Sequence, residues 1–355
     1  MLKYFPKKRA TLRDVAEAAV VSTATVSRWR NGMIKLPKKT EDRITRAIEE
    51  LGYEPNLHAR RLSLGRTDTV ALVVPDIADP FFAALAGAVE TAAEEHGLGV
   101  VLCSTVNRIE RELDYLNRLR RNHVDGLIFA TNHPDDGRLK AAIEGQAGVV
   151  LLDEDVAGVN VPKVFCDNAG GGRAATAHLI AAGHRRIGFI GGAEGVMSAV
   201  ERVAGYHRAL EIAGLARDPA LVHFGGYTAA QGRQSTRQLL ALADPPTAIF
   251  ASSDQIAIGV LEVLNERAIR VPHDMSLVAY DDVAPFALFG PAVTAIRQPI
   301  VEMGRHGVEI LVAQLADPGR DPFEERLPVE FMQRASVAER GHDRITAAET
   351  TGAFP

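Results

Sequence analysis

The chain has 355 residues, 46% hydrophobic and 24% charged, a length for two or three domains and a composition that excludes wholesale disorder. It has no run of eighteen apolar residues and the start, MLKYFPKKRA, has no apolar h-region, so neither a membrane span nor export is expected; two cysteines, Cys103 and Cys166, are too few for a disulfide framework or a zinc cluster. The net charge of −5 hides an asymmetry, because residues 1–66 hold 15 Lys+Arg against 7 Asp+Glu while the rest is acidic. A basic head on an acidic body fits contact with a polyanion through the head alone, although a solvated charge run would give the same count.

In chain order, Thr11-Leu12-Arg13-Asp14 reads as a helix start with a capping box, followed by Leu12, Val15, Ala16 and Ala19 at helical spacing. Ser22 is placed to cap a second helix, Thr23 to about Asn31, with Val26 inward and Thr23, Ala24, Ser27 and Arg28 outward. A third, from about Lys39 to Leu51, buries Ile44, Ala47, Ile48 and Leu51 and stops at Gly52. Three short helices with a tight turn between the first two make a helix-turn-helix.

From Thr69 the pattern changes to short apolar runs alternating with helical stretches. TVALVVPD, GVVLCS, DGLIFA and GVVLLD fit buried parallel strands, and the series restarts at RRIGFIGG, ALVHFGG, TAIFASSD and MSLVAYDD. This predicts two similar doubly wound parallel α/β lobes, joined near Cys166-Asp167-Asn168 and Arg297-Gln298-Pro299. Gly170-Gly171-Gly172 lacks the G-x-G-x-x-G spacing, there is no G-x-x-x-x-G-K-[ST], the histidines have no metal-binding spacing, and Ser and Cys lack a nucleophile elbow. No catalytic constellation, cofactor or metal is expected.

TLRDVAEAAVVSTATVSRWRNG and LGYEPNLHARRLSLGRT together resemble the DNA-binding head and hinge of the LacI/GalR family of bacterial transcriptional repressors, and the likeness runs from about Thr11 to Arg340. It implies a head over 1–56 and a hinge helix and linker over 57–66. The core over 67–340 has lobe 1 at about 67–167 and 297–327 and lobe 2 at about 168–296 and 328–340; a polar tail follows at 341–355. A recognition helix in the major groove places Thr23 and Ala24 for base contact, and Arg28 for a guanine fork or a phosphate contact. Thr11, Ser22 and Ser27 are short phosphate donors, and Asn31 and Asn56 join the DNA-contacting set. The resemblance makes residues 57–62 a hinge helix that folds on operator DNA, with Ala59 and Leu62 in the minor groove and Leu62 as the wedge. Val20 stands where the family has glycine; a β-branched residue at positive φ is strained, so a remodelled turn is expected. Trp29, in an aliphatic position of the family, points inward as packing rather than outward to stack on bases.

The core resembles the two-lobed periplasmic sugar-binding-protein fold, with ligand between the lobes at strand C-terminal ends. Asp76, Phe81, Phe82, Asp153, Ser198, Arg202, Tyr227, Ser253, Asp281 and Gln298 fall there, and the resemblance assigns Arg202, Tyr227, Ser253, Asp281 and Gln298 to effector contact. Phe82 also fits plain helix packing, Arg202 and Asp281 also fit a mutual ion pair, Asp254 reads as a helix cap and Asp282 as structural. The resemblance further implies a homodimer using Phe286, Leu288 and Phe289, for which internal packing is the alternative; without leucine heptads in GHDRITAAETTGAFP, no coiled-coil tetramer is expected. Taken together, the expectation is a cytoplasmic bacterial repressor, on the nucleoid when DNA-bound, that binds palindromic double-stranded operator DNA and answers to a small sugar-like effector. A purine or nucleoside effector is the alternative, disfavoured by Val196 where purine-binding relatives carry arginine. An enzyme with a DNA-binding head is the remote one.

Overall fold

The computed structural model describes residues 10–30, 32–53, 67–121, 123–134 and 136–340. The chain divides into two compact units, residues 1–67 and 68–355.

In the first unit, α1 (Leu12–Ala18) opens on the capping box: Asp14 N donates to Thr11 Oγ1 at 3.3 Å and Thr11 N to Asp14 Oδ2 at 2.7 Å. Ser22 Oγ accepts from Thr25 N at 3.1 Å ahead of α2 (Thr23–Arg30), and α3 (Lys38–Leu51) ends on left-handed Gly52. Val15, Ala16, Ala19, Val26, Ile44 and Ala47 form the core. Trp29, half-buried, packs against it and donates Nε1–H to Glu41 Oε1 at 3.0 Å, which holds the ring against the head's core. The expected remodelling of the turn does not occur. Val20 takes the left-handed conformation, φ 53°, with its side chain 76% exposed. Bonds from Val20 N to Glu17 O (3.2 Å) and Val21 N to Ala16 O (3.0 Å) hold the turn, so the β-branched residue carries the strain.

The second unit holds two six-stranded sheets. The first contains β1 (Thr69–Val74), β2 (Gly99–Ser104), β3 (Gly126–Phe129), β4 (Val149–Leu152), β5 (Lys163–Cys166) and β11 (Glu324–Leu327), in the order β11-β5-β4-β3-β1-β2. The second contains β6 (Ile187–Ile190), β7 (Val222–His223), β8 (Ala248–Ala251), β9 (Ser276–Tyr280), β10 (Thr294–Arg297) and β12 (Glu330–Met332), in the order β12-β10-β9-β8-β6-β7. Pairing is parallel except for β12 on β10. The two orders match strand for strand, so β4 and β9 are counterparts. The chain passes between sheets after Cys166, after Arg297, and between Leu327 and Glu330.

The central strands read as continuous apolar runs because both faces of each sheet are covered there, whereas edge strand β2 leaves Val101 and Leu102 exposed. Leu72, Ile128 and Val150 pack under α4 (Pro80–Glu95) and α11 (Ile300–Ala316), whereas Phe129, Leu151 and Phe165 pack under α5 (Ile109–Arg120) and α6 (Arg138–Ile143). In the second sheet Phe189, Phe250 and Tyr280 face α7 (Asn168–Ala181) and α8 (Met197–Ile212), and Ile249, Leu277 and Ala279 face α9 (Ala229–Leu240) and α10 (Asp254–Glu266).

The glycine run serves helix packing. A methyl on Gly172 would overlap the carbonyl of Arg202, and one on Gly205 that of Ala169, so α7 and α8 meet backbone to backbone.

Phe286 departs from expectation. It is 0% exposed and sits in the second lobe's core with Val283 and Val293, so it cannot face a partner, whereas Leu288 and Phe289 are 85% and 43% exposed. Asn31, Asn56, Ala59, Leu62 and the 341–355 tail lie outside the described residues.

Candidate functional site

Two surfaces follow from this architecture. On the first unit, α2 presents Thr23, Ala24 and Arg28 exposed and Ser27 half-buried, and Arg28 makes no ion pair among the described residues. The hydroxyls of Thr11 and Ser22 are engaged in helix capping, with Asp14 Oδ2 at 2.8 Å and Thr25 Oγ1 at 2.8 Å.

In the second unit a cavity lies where the C-terminal ends of the two sheets meet. Lobe 1 lines it with Asp79, Phe81, Phe82, Asn132, Asp153 and Glu154, and lobe 2 with Ser198, Arg202, Tyr227, Ser253, Asp254 and Asp281; Gln298 lies at the crossover after β10. Its free volume is about 30 Å³, space for a water. A larger ligand therefore enters only as the lobes part or side chains move.

Asp79 caps α4, accepting from Phe81 N at 2.9 Å, and Phe81 and Phe82 meet edge to face with centroids 5.0 Å apart. Phe82 both packs in the lobe 1 core and lines the cavity. Asp153 follows β4 and Asp281 follows its counterpart β9. Both adopt left-handed backbone, φ 72° and 66°, which turns the chain sharply at the sheet edge. Asp281 accepts from Gln298 Nε2 at 2.6 Å, whereas Asp153, 6% exposed, has an Oδ1 with no hydrogen-bond partner.

Arg202 makes no ion pair among the described residues, so the alternative pairing with Asp281 does not form. Its Nε donates to Asn168 Oδ1 at 2.8 Å and Nη1 to Ser252 O at 2.7 Å, while its Cζ lies 3.7 Å from the Tyr280 ring centroid. Glu154 spans the lobes. It accepts from the backbone N–H of Ser198 at 3.1 Å and from the Ser198 hydroxyl, capping α8, whose own N-cap Val196 offers no side-chain bond. Ser198 Oγ also meets Tyr227 OH at 2.7 Å.

Burial drives the titration of this cluster. It raises Asp153 to about 7 against the pull of Arg202, and, with the charge of Asp153, Glu154 to about 8. Burial together with Asp281 raises Asp254 to about 8 and Asp79 to about 6. Asp281 is raised by burial, with Arg202 opposing. The site thus holds carboxyl groups that donate as well as accept near neutral pH, one guanidinium, an amide and aromatic faces.

The segment 11–56 matches the model for bacterial regulatory proteins of the lacI family, and 176–337 that for a periplasmic binding protein-like domain. The regulator CelR of Thermobifida fusca is 38% identical over 338 residues, 93% of this chain and 99% of that one. The chain belongs to the lacI family. It is a LacI-family transcriptional regulator, with a helix-turn-helix head and a two-sheet α/β core of periplasmic-binding-protein type. Among solved LacI-family structures, the CelR–cellobiose complex matches with a TM-score of 0.71 at 37% identity, covering 92% of this chain and all of that one. The lac repressor dimer bound to operator and an anti-inducer matches with 0.81 at 28% identity, covering 93% and 100%.

Within this LacI-family core, the cavity gathers every residue expected there except Asp76, which accepts from Ala78 N at 3.0 Å in the loop after β1 and lies outside the lining. Asp254 lines the cavity instead of capping; Ser253 caps α10, accepting from Ile256 N at 3.2 Å. Asp282 is structural, bound to Arg297 at 2.7 Å and Arg334 at 2.6 Å. Asp79, Asn132 and Glu154 were not anticipated. Asp79 could have been found as the N-cap before Pro80-Phe81-Phe82; Glu154 carries no local signal, since its partner Ser198 is on the other lobe.

No helix among the described residues is long and apolar enough to cross a membrane.

Proposed function

We propose that the chain is a homodimeric, cytoplasmic repressor that reads a palindromic operator through Thr23, Ala24 and Arg28 of α2 and releases it when a sugar binds between the lobes. The observation carrying this reading is the cavity itself: carboxyls, one arginine, an amide and aromatic rings, drawn from both lobes, surround a buried Asp153 oxygen that lacks a donor. Hydroxyl-rich ligands supply such donors, and aromatic faces accept their C–H surfaces. CelR, the relative bound to cellobiose, supports the sugar class. A ligand that binds across the cleft biases lobe orientation only through its different affinity for the two arrangements, and the head reads that difference. One α2 gives few base contacts, which is why a dimer and a palindrome belong to the proposal; exposed Leu288 and Phe289 are candidate contacts of its interface.

The test is thermal unfolding of the full chain against pentoses, hexoses, disaccharides, nucleosides and purines. A ligand at a hundredfold excess over its Kd adds about 2.7 kcal/mol of stability. A sugar that raises Tm and weakens operator binding supports the proposal. A purine or nucleoside hit without a sugar hit overturns the sugar assignment.

A further inference from the structure

The acids of the cavity outnumber its cations. Asp79, Asp153, Glu154, Asp254 and Asp281 line it against Arg202 alone. Two carboxylates elsewhere in the core do have cationic partners: Asp282 has Arg297 and Arg334, and Glu201 has Arg326 at 2.8 Å. None of the five in the cavity forms an ion pair among the described residues, and Arg202 is spent on the amide oxygen of Asn168, the carbonyl of Ser252 and the face of Tyr280.

Four of the five acids already have donors: Asp79 from Phe81 N, Glu154 from Ser198, Asp254 from Gln255 N at 2.7 Å, and Asp281 from Gln298. Asp153 Oδ1 has none although the residue is buried, and the left-handed backbone holds it at the end of β4. A buried carboxyl oxygen without a hydrogen-bond partner is costly, and a ligand that satisfies it recovers that cost.

Three ligand types meet this site differently. A phosphate or carboxylate on the ligand brings a further acid to a site whose acids already outnumber its one lining cation. A neutral hydroxyl satisfies Asp153 Oδ1 and brings the acids no cation. An ammonium group offers up to three N–H donors and, as a neighbouring cation, favours the ionised form of the carboxyl it meets, forming a charge-assisted pair. Resting on the reading of this cavity as the effector site, we propose that it selects an effector bearing a cationic nitrogen, an amino sugar in preference to a neutral, acidic or phosphorylated one. The carboxyls held protonated by burial, Asp153 and Glu154 foremost, ionise when the ammonium arrives.

The experiment compares matched sugars on the full chain by calorimetry and thermal shift at fixed salt and neutral pH. The probes are cellobiose, the β-1,4-linked glucosamine dimer, its N-acetylated form and phosphorylated cellobiose, with glucose, glucosamine, N-acetylglucosamine and glucose 6-phosphate as the monosaccharide set. The expected result is that an amino member binds at least tenfold more tightly than its hydroxyl and N-acetyl counterparts, that the phosphates give no shift, and that added NaCl shrinks the advantage. Asp153→Asn, which keeps shape in a residue tolerant of left-handed backbone, should bring the amino and hydroxyl members to parity; if it does not fold, Glu154→Gln is read the same way. Equal or tighter binding of the hydroxyl or phosphate member overturns the inference and leaves the sugar reading intact. No shift with any sugar, amino or neutral, overturns both.

Discussion

The contact between α7 and α8 makes a sharp prediction, because it places Arg202. A Cβ on Gly172 would lie 3.0 Å from both the carbonyl carbon and Cα of Arg202, and about 1 Å inside ordinary contact with its carbonyl oxygen. That obstacle is helix backbone, so no rotamer change relieves it and α8 must move, carrying Ser198 and Arg202 away from the cavity. Overpacking of this kind costs about 1–3 kcal/mol, and more where backbone must shift, against a gain of about 1 kcal/mol from alanine's helix propensity. Gly172→Ala should therefore destabilise the core by about 2 kcal/mol, a fall of about 4–8 °C in its Tm. Gly87 supplies the control, since it lies within α4 and a methyl there meets nothing within 4 Å. Gly87→Ala should raise Tm by a degree or more through helix propensity and the reduced entropy of the unfolded chain. Scanning calorimetry of the full chain reads both. The reasoning is refuted if the two substitutions move the core transition in the same direction.

Other expectations follow from the strained turn, the acidic cavity and the exposed face of α2. Val20→Gly should stabilise the head by roughly 0.5–1 kcal/mol, because relief of about 1–2 kcal/mol of left-handed strain exceeds the entropic cost of glycine; an unchanged or lower head transition would mean the turn is not strained. For pH, the raised carboxyls Asp79, Asp153, Glu154, Asp254 and Asp281 keep protons in the folded core that the unfolded chain has released. Their contribution is present at low pH; that of Asp79 is lost near pH 6, and those of Asp153, Glu154 and Asp254 as pH rises through about 7 to 8. His184, held neutral by burial with a pKa of about 4, acts oppositely but only below 6.5, and the lowered Asp274 and Asp282 act only below about 4. The core should thus lose stability from pH 6.5 to 8, at about 1.4 kcal/mol per pH unit for each proton retained, and a Tm that rises over that range contradicts the assignment. Arg28→Ala should weaken operator binding by about tenfold or more, the worth of a bidentate base contact, with the head's Tm unchanged, and specific binding retained at full strength removes Arg28 from the interface.

The parts of this fold that were legible in the sequence are those whose signal is local. Runs such as Val70–Val74 and Ile249–Ala251 are apolar because both sheet faces are covered, and Ser22 and Gly52 punctuate helices where they stand. The edge strand β11, Glu-Glu-Arg-Leu, and the short β12 did not read as strands, since charged residues at an edge face water and interrupt the pattern. At the cavity, residues at strand ends were accessible from spacing and resemblance. Glu154 was not, because its meaning depends on an uncapped helix 44 residues away on the other lobe. Asp254 was misread because Ser253, one position earlier, takes the cap. At Val20 the sequence signalled strain at a positive φ but not how the turn would answer it: the hydrogen bonds on either side keep the turn and leave the residue left-handed.

The central claim is that ligand between the lobes controls grip on DNA by the head. The most direct measurement takes a duplex selected from a random pool by the full chain and follows its binding by fluorescence anisotropy at fixed salt, with and without a sugar that raises the core Tm. The account predicts a palindromic duplex and at least a tenfold weaker Kd when the sugar saturates. An affinity that stays the same while the sugar is demonstrably bound, or a selected duplex without two-fold symmetry, would contradict it.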